Sequence, residues 1–124
     1  GSRPVGTTQS LLRGDASLPI QIGGATTIGV IATDAKLTKA EATKLAQMAH
    51  DGLARSIDPV HTMGDGDTLF ALATGTAEAK PDLTLLGIAA AEATARAVLR
   101  AVNEAQGLAG PGLPTLPAVR DLRR

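Results

Sequence analysis

The chain has no cysteine, tryptophan or tyrosine, and Phe70 is its single aromatic residue. Without thiols there is no disulfide framework, no thiolate nucleophile and no cysteine-based metal site. Without large rings, the core of these 124 residues must draw its stability from close packing of Ala, Leu, Ile and Val. A chain so poor in bulky side chains is expected to need a partner. An excess of either charge is lacking too, since 12 basic residues balance 12 acidic ones. No electrostatic footprint for nucleic acid follows. No apolar run approaches the length of a membrane span, and the N-terminus lacks a charged-then-apolar signal pattern. The expectation is a soluble, cytoplasmic protein with one hydrophobic core rather than two domains.

What is present reads as alternating elements. Gly1 to Gly24 is rich in Gly, Ser, Thr and Pro and reads as an irregular leader with a short strand at Leu18 to Ile22. From Thr27 to Thr33 β-branched residues dominate, which predicts a buried strand, with Gly29 marking a close approach by another group. Thr38-Lys39-Ala40-Glu41 is a capping box, so a helix starts there. Ala42, Leu45, Ala46, Ala49, Leu53 and Ile57 recur on one face of it, and Asp58-Pro59 ends it. Thr68 to Thr74 predicts a second strand closed by Gly75. A long alanine-rich helix over Leu85 to Gln106 follows, introduced by Asp82-Leu83-Thr84. Ile88, Ala91, Ala95, Val98, Leu99 and Val102 gather on one side of that helix, and Gly87 is its weak spot. Gly107 to Pro117 reads as a loop, and the tail from Arg120 to Arg124 as solvated.

Two segments carry chemistry. Thr26 stands at the mouth of the first strand, and Asp65-Gly66-Asp67 places two carboxylates in a glycine-hinged loop before the second. A threonine hydroxyl needs a base within reach, and a threonine freed at a chain terminus carries one in its own α-amine. Carboxylates then orient the amine and hold the proton. Each residue also has a plainer reading. Thr26 and Thr27 suit a strand as β-branched residues, and Asp-Gly pairs commonly make turns. A calcium loop is disfavoured, because the longer ligand pattern and its terminal Glu are absent. His50, near a helix end, reads as structural. His61, a few residues before the acidic loop, reads as a group that holds that loop by hydrogen bonds. Two histidines without cysteine make no strong zinc site.

The blocks Thr26-Thr27-Ile28-Gly29-Val30-Ile31-Ala32-Thr33-Asp34-Ala35, Leu45 to Arg55, Pro59-Val60-His61-Thr62 and Asp65 to Gly75 together resemble the P1 family of peptidases. That family holds the L-aminopeptidase/D-esterases, β-peptidyl aminopeptidases and nylon-oligomer hydrolases, and the resemblance is closest to the nylon-oligomer branch. It implies an α+β fold, the β-chain part of a sandwich of sheets flanked by helices. Residues 1–25 would be the tail of an α-like segment and residues 26–124 a β-like segment. It implies an amide-bond hydrolase acting on peptides or oligoamides, made as a precursor that cuts itself before Thr26. Thr26 is then the nucleophile, with Asp65 and Asp67 as the acidic pair that positions it. The family usually carries Asn before the cut bond, whereas Ala25 stands here, so the isolated chain is expected to stay largely uncut. No metal or organic cofactor is implied. The expected partners are the missing α-like part and further copies of the chain. The alternative is a catalytically silent, uncleaved or truncated homologue that serves as an association module.

Overall fold

The computed structural model describes residues 6–15, 25–112 and 115–122. The β-branched run forms β1 (Ile28–Thr33), which pairs in parallel with β2 (Thr68–Ala73). Parallel neighbours cannot be joined by a tight hairpin, and the connection here is α2 (Lys39–Ala54). The capping box forms as expected. The Glu41 N–H donates to the Thr38 hydroxyl, and the Thr38 N–H donates to the Glu41 carboxylate at 2.8 Å. These bonds hold the Glu41 carboxyl below its ordinary value. The helix stops at Ala54, earlier than its apolar spacing predicts. The Ser56 hydroxyl donates to the Gly52 carbonyl at 2.7 Å and so satisfies one of the helix's last acceptors. Ile57 then packs on the core from the loop rather than from the helix.

A second helix, α3 (Leu83–Glu104), begins two residues before the predicted start. The Asp82 carboxylate accepts the N–H groups of Thr84 and Leu85 at 2.9 and 3.1 Å, an N-cap that fixes this boundary. The core lies between the helices and one sheet face, with Leu45, Ala49 and Leu53 of α2, Leu69 of β2 and Ala90 of α3 at its centre. The predicted apolar side of α3 is corrected by the structure. Its buried residues are Gly87, Ala90, Ala91 and Thr94, while Ile88, Leu99 and Val102 are exposed. The reason is close approach: a side chain at Gly52 of α2 would run into the Ala91 carbonyl, and Gly87 sits against Met48. Only small residues fit that contact, so the larger ones turn away. Gly87, a weak spot by propensity, is a packing residue.

The ends depart from expectation. Residues Thr7–Leu12 form a short helix, α1, where an irregular leader is predicted, and the Thr8 hydroxyl donates to the Asp58 carboxylate at 2.5 Å. The expected strand at Leu18 to Ile22 lies outside the described residues. In the C-terminal loop Leu108 and Leu116 bridge antiparallel, and Val119–Leu122 forms α4. The Arg120 guanidinium donates to the Asn103 and Glu104 carbonyls at 3.2 and 2.6 Å. The described part of the tail, Arg120 to Leu122, is exposed as predicted, and Arg120 is tied to the end of α3, whose last carbonyls attract a cation. The chain is α+β, with a two-stranded sheet among the described residues. No helix of the described residues is long and apolar enough to cross a membrane.

Candidate active site

The parallel register brings the two chemical segments together. Thr27 is bonded to Asp67, 40 positions on, and the same offset runs from the Ala25–Asp65 bridge to the end of the sheet. Thr26 therefore lies opposite Gly66, with an aspartate on either side of that glycine. The Ala25 carbonyl accepts the Gly66 N–H at 3.0 Å, and the Thr27 carbonyl accepts the Thr68 N–H at 2.9 Å. A Cβ at position 66 would stand 2.9 Å from the Thr26 hydroxyl oxygen, so the glycine leaves that oxygen its place. Gly29, one pleat further on, is likewise close to Leu69, as its position in the strand predicts: a Cβ there would come within 2.7 Å of a Leu69 methyl.

The carboxylates do not converge on the hydroxyl. Asp67, whose side chain is 6% exposed, accepts the Thr27 N–H at 2.8 Å and the His61 Nδ1–H at 2.8 Å. Burial alone would push the Asp67 carboxyl up, but the bonds from Thr27 and His61 outweigh it and hold the group below its ordinary value. Asp65 accepts the Thr62 N–H at 2.6 Å and so closes the turn ahead of β2. The Thr26 hydroxyl donates to the Ala25 carbonyl at 2.8 Å. The pleat explains the division. Side chains alternate across a strand, so Thr27 and Asp67 fall on the helix side with Leu69. Thr26 and Gly66 fall on the open side with Ile28 and Phe70, and both are exposed.

His61 plays the loop-holding part that its position suggested. Because a carboxylate only accepts, Nδ1 of His61 carries the proton toward Asp67. Nε2 then faces His50 Nδ1 at 3.3 Å, joining the end of α2 to the acidic loop. His61 has a positive φ of 55°, and its backbone conformation had no signal in the sequence. Among the described residues no group of three or more His, Asp or Glu is placed to hold a metal ion.

Residues 2–114 match peptidase family S58. The chain belongs to this family. A Mycobacterium tuberculosis protein named as an uncharacterised aminopeptidase is 47% identical over 110 residues, covering 78% of this chain and 30% of its own length. A Mycobacterium leprae protein of the same description is 50% identical over 103 residues, covering 73% and 28%. A 6-aminohexanoate-oligomer endohydrolase of Kocuria is 41% identical over 56 residues, covering 45% and 16%. The family resemblance carried by the blocks from Thr26 to Gly75 is thereby borne out, and a nylon-oligomer hydrolase is among the relatives, at lower identity and coverage than the two mycobacterial proteins. The chain spans about 30% of the length of the mycobacterial relatives it matches.

Proposed function

We propose that this chain is the nucleophile-bearing part of an amide-bond hydrolase that acts on peptides or oligoamides, with Thr26 as nucleophile. The single observation that carries the reading is the register: it sets Thr26 at the amino end of β1, directly across from Gly66 and between Asp65 and Asp67. Cutting the 25–26 bond frees the Thr26 amine, which then takes the proton of the Thr26 hydroxyl as that oxygen attacks an amide carbonyl. An acyl-enzyme forms, and water releases it. Asp67, through the Thr27 N–H, fixes the backbone beside the nucleophile, and Asp65 fixes the loop across from residue 25. In this reading residues 1–25 are the end of an α-like segment and residues 26–124 the β-like segment.

The site is open on the side where Thr26 lies, so the rest of the substrate pocket comes from elsewhere. The names of the relatives, aminopeptidase and 6-aminohexanoate-oligomer endohydrolase, support peptide or oligoamide substrates. Their greater length supports a partner segment that covers the open side. The association-module reading draws on a different observation: neither carboxylate hydrogen-bonds the Thr26 hydroxyl.

Hydroxylamine separates the two. In plain buffer the chain stays largely uncut, because Ala25 offers no side-chain amide to assist the acyl shift. Neutral hydroxylamine traps the ester formed on Thr26 and accumulates a fragment that begins at Thr26, seen by intact mass, while Thr26→Ala gives none. Absence of that fragment from the unsubstituted chain would overturn the enzyme reading and leave the association module.

A further inference from the structure

An acyl shift at Thr26 puts negative charge on one atom, the Ala25 carbonyl oxygen, and that oxygen already has a fixed donor. The Gly66 N–H points at it from 3.0 Å in the uncut chain, so a donor is already in place beside the atom that becomes the oxyanion, where a distance of roughly 2.7–3.1 Å stabilises the charge. We propose that the Gly66 backbone N–H is the oxyanion donor of this site, first for the chain's own 25–26 bond and then for the acyl group of a substrate. This role rests on Thr26 as nucleophile and supplies the oxyanion donor that attack by its hydroxyl requires.

The geometry supports this in three ways. The donor belongs to the ladder that continues the β1–β2 pairing, flanked by the Thr68 N–H to Thr27 carbonyl bond at 2.9 Å, so it costs no reorganisation when charge appears. The donating residue is a glycine against which the Thr26 hydroxyl oxygen packs, since a Cβ there would be 2.9 Å from that oxygen. Donor and nucleophile thus face one carbonyl together. Finally, the Thr27 N–H, the next donor along, is turned to the Asp67 carboxylate, which among the described residues leaves Gly66 as the backbone N–H aimed at the junction.

The step balances without any added reagent except water. The Thr26 hydroxyl gives up its hydrogen bond to the Ala25 carbonyl oxygen, its oxygen forms a bond to the carbonyl carbon as the C=O π electrons move onto the carbonyl oxygen, and its proton passes to the Thr26 nitrogen. The old carbonyl oxygen carries the negative charge against the Gly66 N–H. The C–N bond then breaks, giving an ester on Thr26 and a free amine. Water cleaves that ester to the Ala25 carboxylate and the Thr26 hydroxyl. In a second cycle the substrate's acyl carbonyl takes the place that the Ala25 carbonyl vacates. The Ala25 side chain is exposed, so these residues impose no size selection on the acyl-side residue.

The test replaces single amides by esters in the full chain, a change that deletes one N–H and keeps every side chain. With neutral hydroxylamine as trap, initial rates are read while intact mass shows the inserted backbone ester still uncut, since hydroxylamine attacks that ester too. The ester at Gly66 is expected to slow formation of the Thr26-initial fragment by about 10²–10³-fold. An ester at Thr68 removes a neighbouring ladder bond that does not touch the junction, and it is expected to leave the rate close to that of the unsubstituted chain. Equal slowing by both esters, or no slowing by the Gly66 ester, overturns the donor role while leaving Thr26 as nucleophile. A fragment that forms equally in Thr26→Ala, or forms in no chain, overturns the nucleophile and the donor together.

Discussion

The two faces of the small sheet have similar composition and opposite surroundings. On one face Leu69, Ile31 and Ala71 pack on the core under α2, where Leu45 and Leu53 are fully buried. On the other face Ile28 is 71% exposed, Val30 62%, and Phe70 and Leu72 56% each. A sheet that meets water on one side normally alternates apolar and polar residues, whereas strands that are apolar throughout belong to sheets covered on both sides. The strands β1 and β2 are of the second kind. Thr26 lies on the uncovered face, so under the proposed reading a segment that covered this face would also wall the pocket around Thr26. The exposed apolar surface accompanies a chain that spans about 30% of the length of its mycobacterial relative.

Substitution on the two faces breaks the comparison most directly. Leu53→Ala opens a cavity between α2 and the sheet and is expected to cost about 2–5 kcal/mol at any protein concentration, read from urea denaturation. Val30→Thr keeps the β-branched shape on the open face, so it is expected to change the stability of the dilute chain by no more than about 0.5 kcal/mol. Its effect should appear instead as weaker association at high concentration, read by sedimentation velocity. If Val30→Thr costs the dilute chain as much as Leu53→Ala, the face is already closed and the comparison fails.

The contrast between the faces was only half legible in the sequence. Continuous apolar runs at Ile28 and Leu69 mark strands, and the Thr38 and Asp82 caps mark helix starts, because those signals are local. The partition of α3 was not legible. Residue size at the α2 contact decides it, and helical spacing cannot see that Gly52 admits Ala91 while turning Ile88 outward. The same holds at the ends, where the placing of α1 and of Arg120 depends on bonds between distant residues, Thr8 to Asp58 and Arg120 to the end of α3. In the site, the segments at Thr26 and Asp65 to Asp67 were recognisable, and a parallel register suffices to unite them. The direction in which each carboxylate points was not, since it follows from the pleat and from His61 at positive φ.

Asp67 sits where the covered face meets the site, which makes it the next most sensitive point. Asp67→Asn replaces charge-assisted bonds from Thr27 and His61 by neutral ones, an expected loss of about 1–2 kcal/mol in denaturation at neutral pH. The acid dependence has a fixed sign. A carboxyl whose folded-state pKa lies below the ordinary 3.8 contributes stability that is complete above 3.8 and disappears as pH falls through the lower folded-state value. Below 3.8 the unsubstituted chain should therefore lose stability more steeply than Asp67→Asn. Parallel curves for the two proteins would show that the Asp67 bonds do not support the fold.

The smallest expected effect sharpens the comparison at α3, which has one side in the core and the other in water. Asp82 caps this helix through the Thr84 and Leu85 N–H groups, a contact that depends on neither sheet face. Asp82→Ala is expected to cost about 1 kcal/mol, and Asp82→Asn much less, because an amide oxygen accepts the same N–H groups. Both losses should be the same at low and high protein concentration, since the cap is local. The exposed Leu85 and Ile88 of the first turns lie beside it, however. If the Asp82→Ala loss grows with protein concentration, the amino end of α3 is part of the surface that partners cover, and the uncovered region extends beyond the sheet.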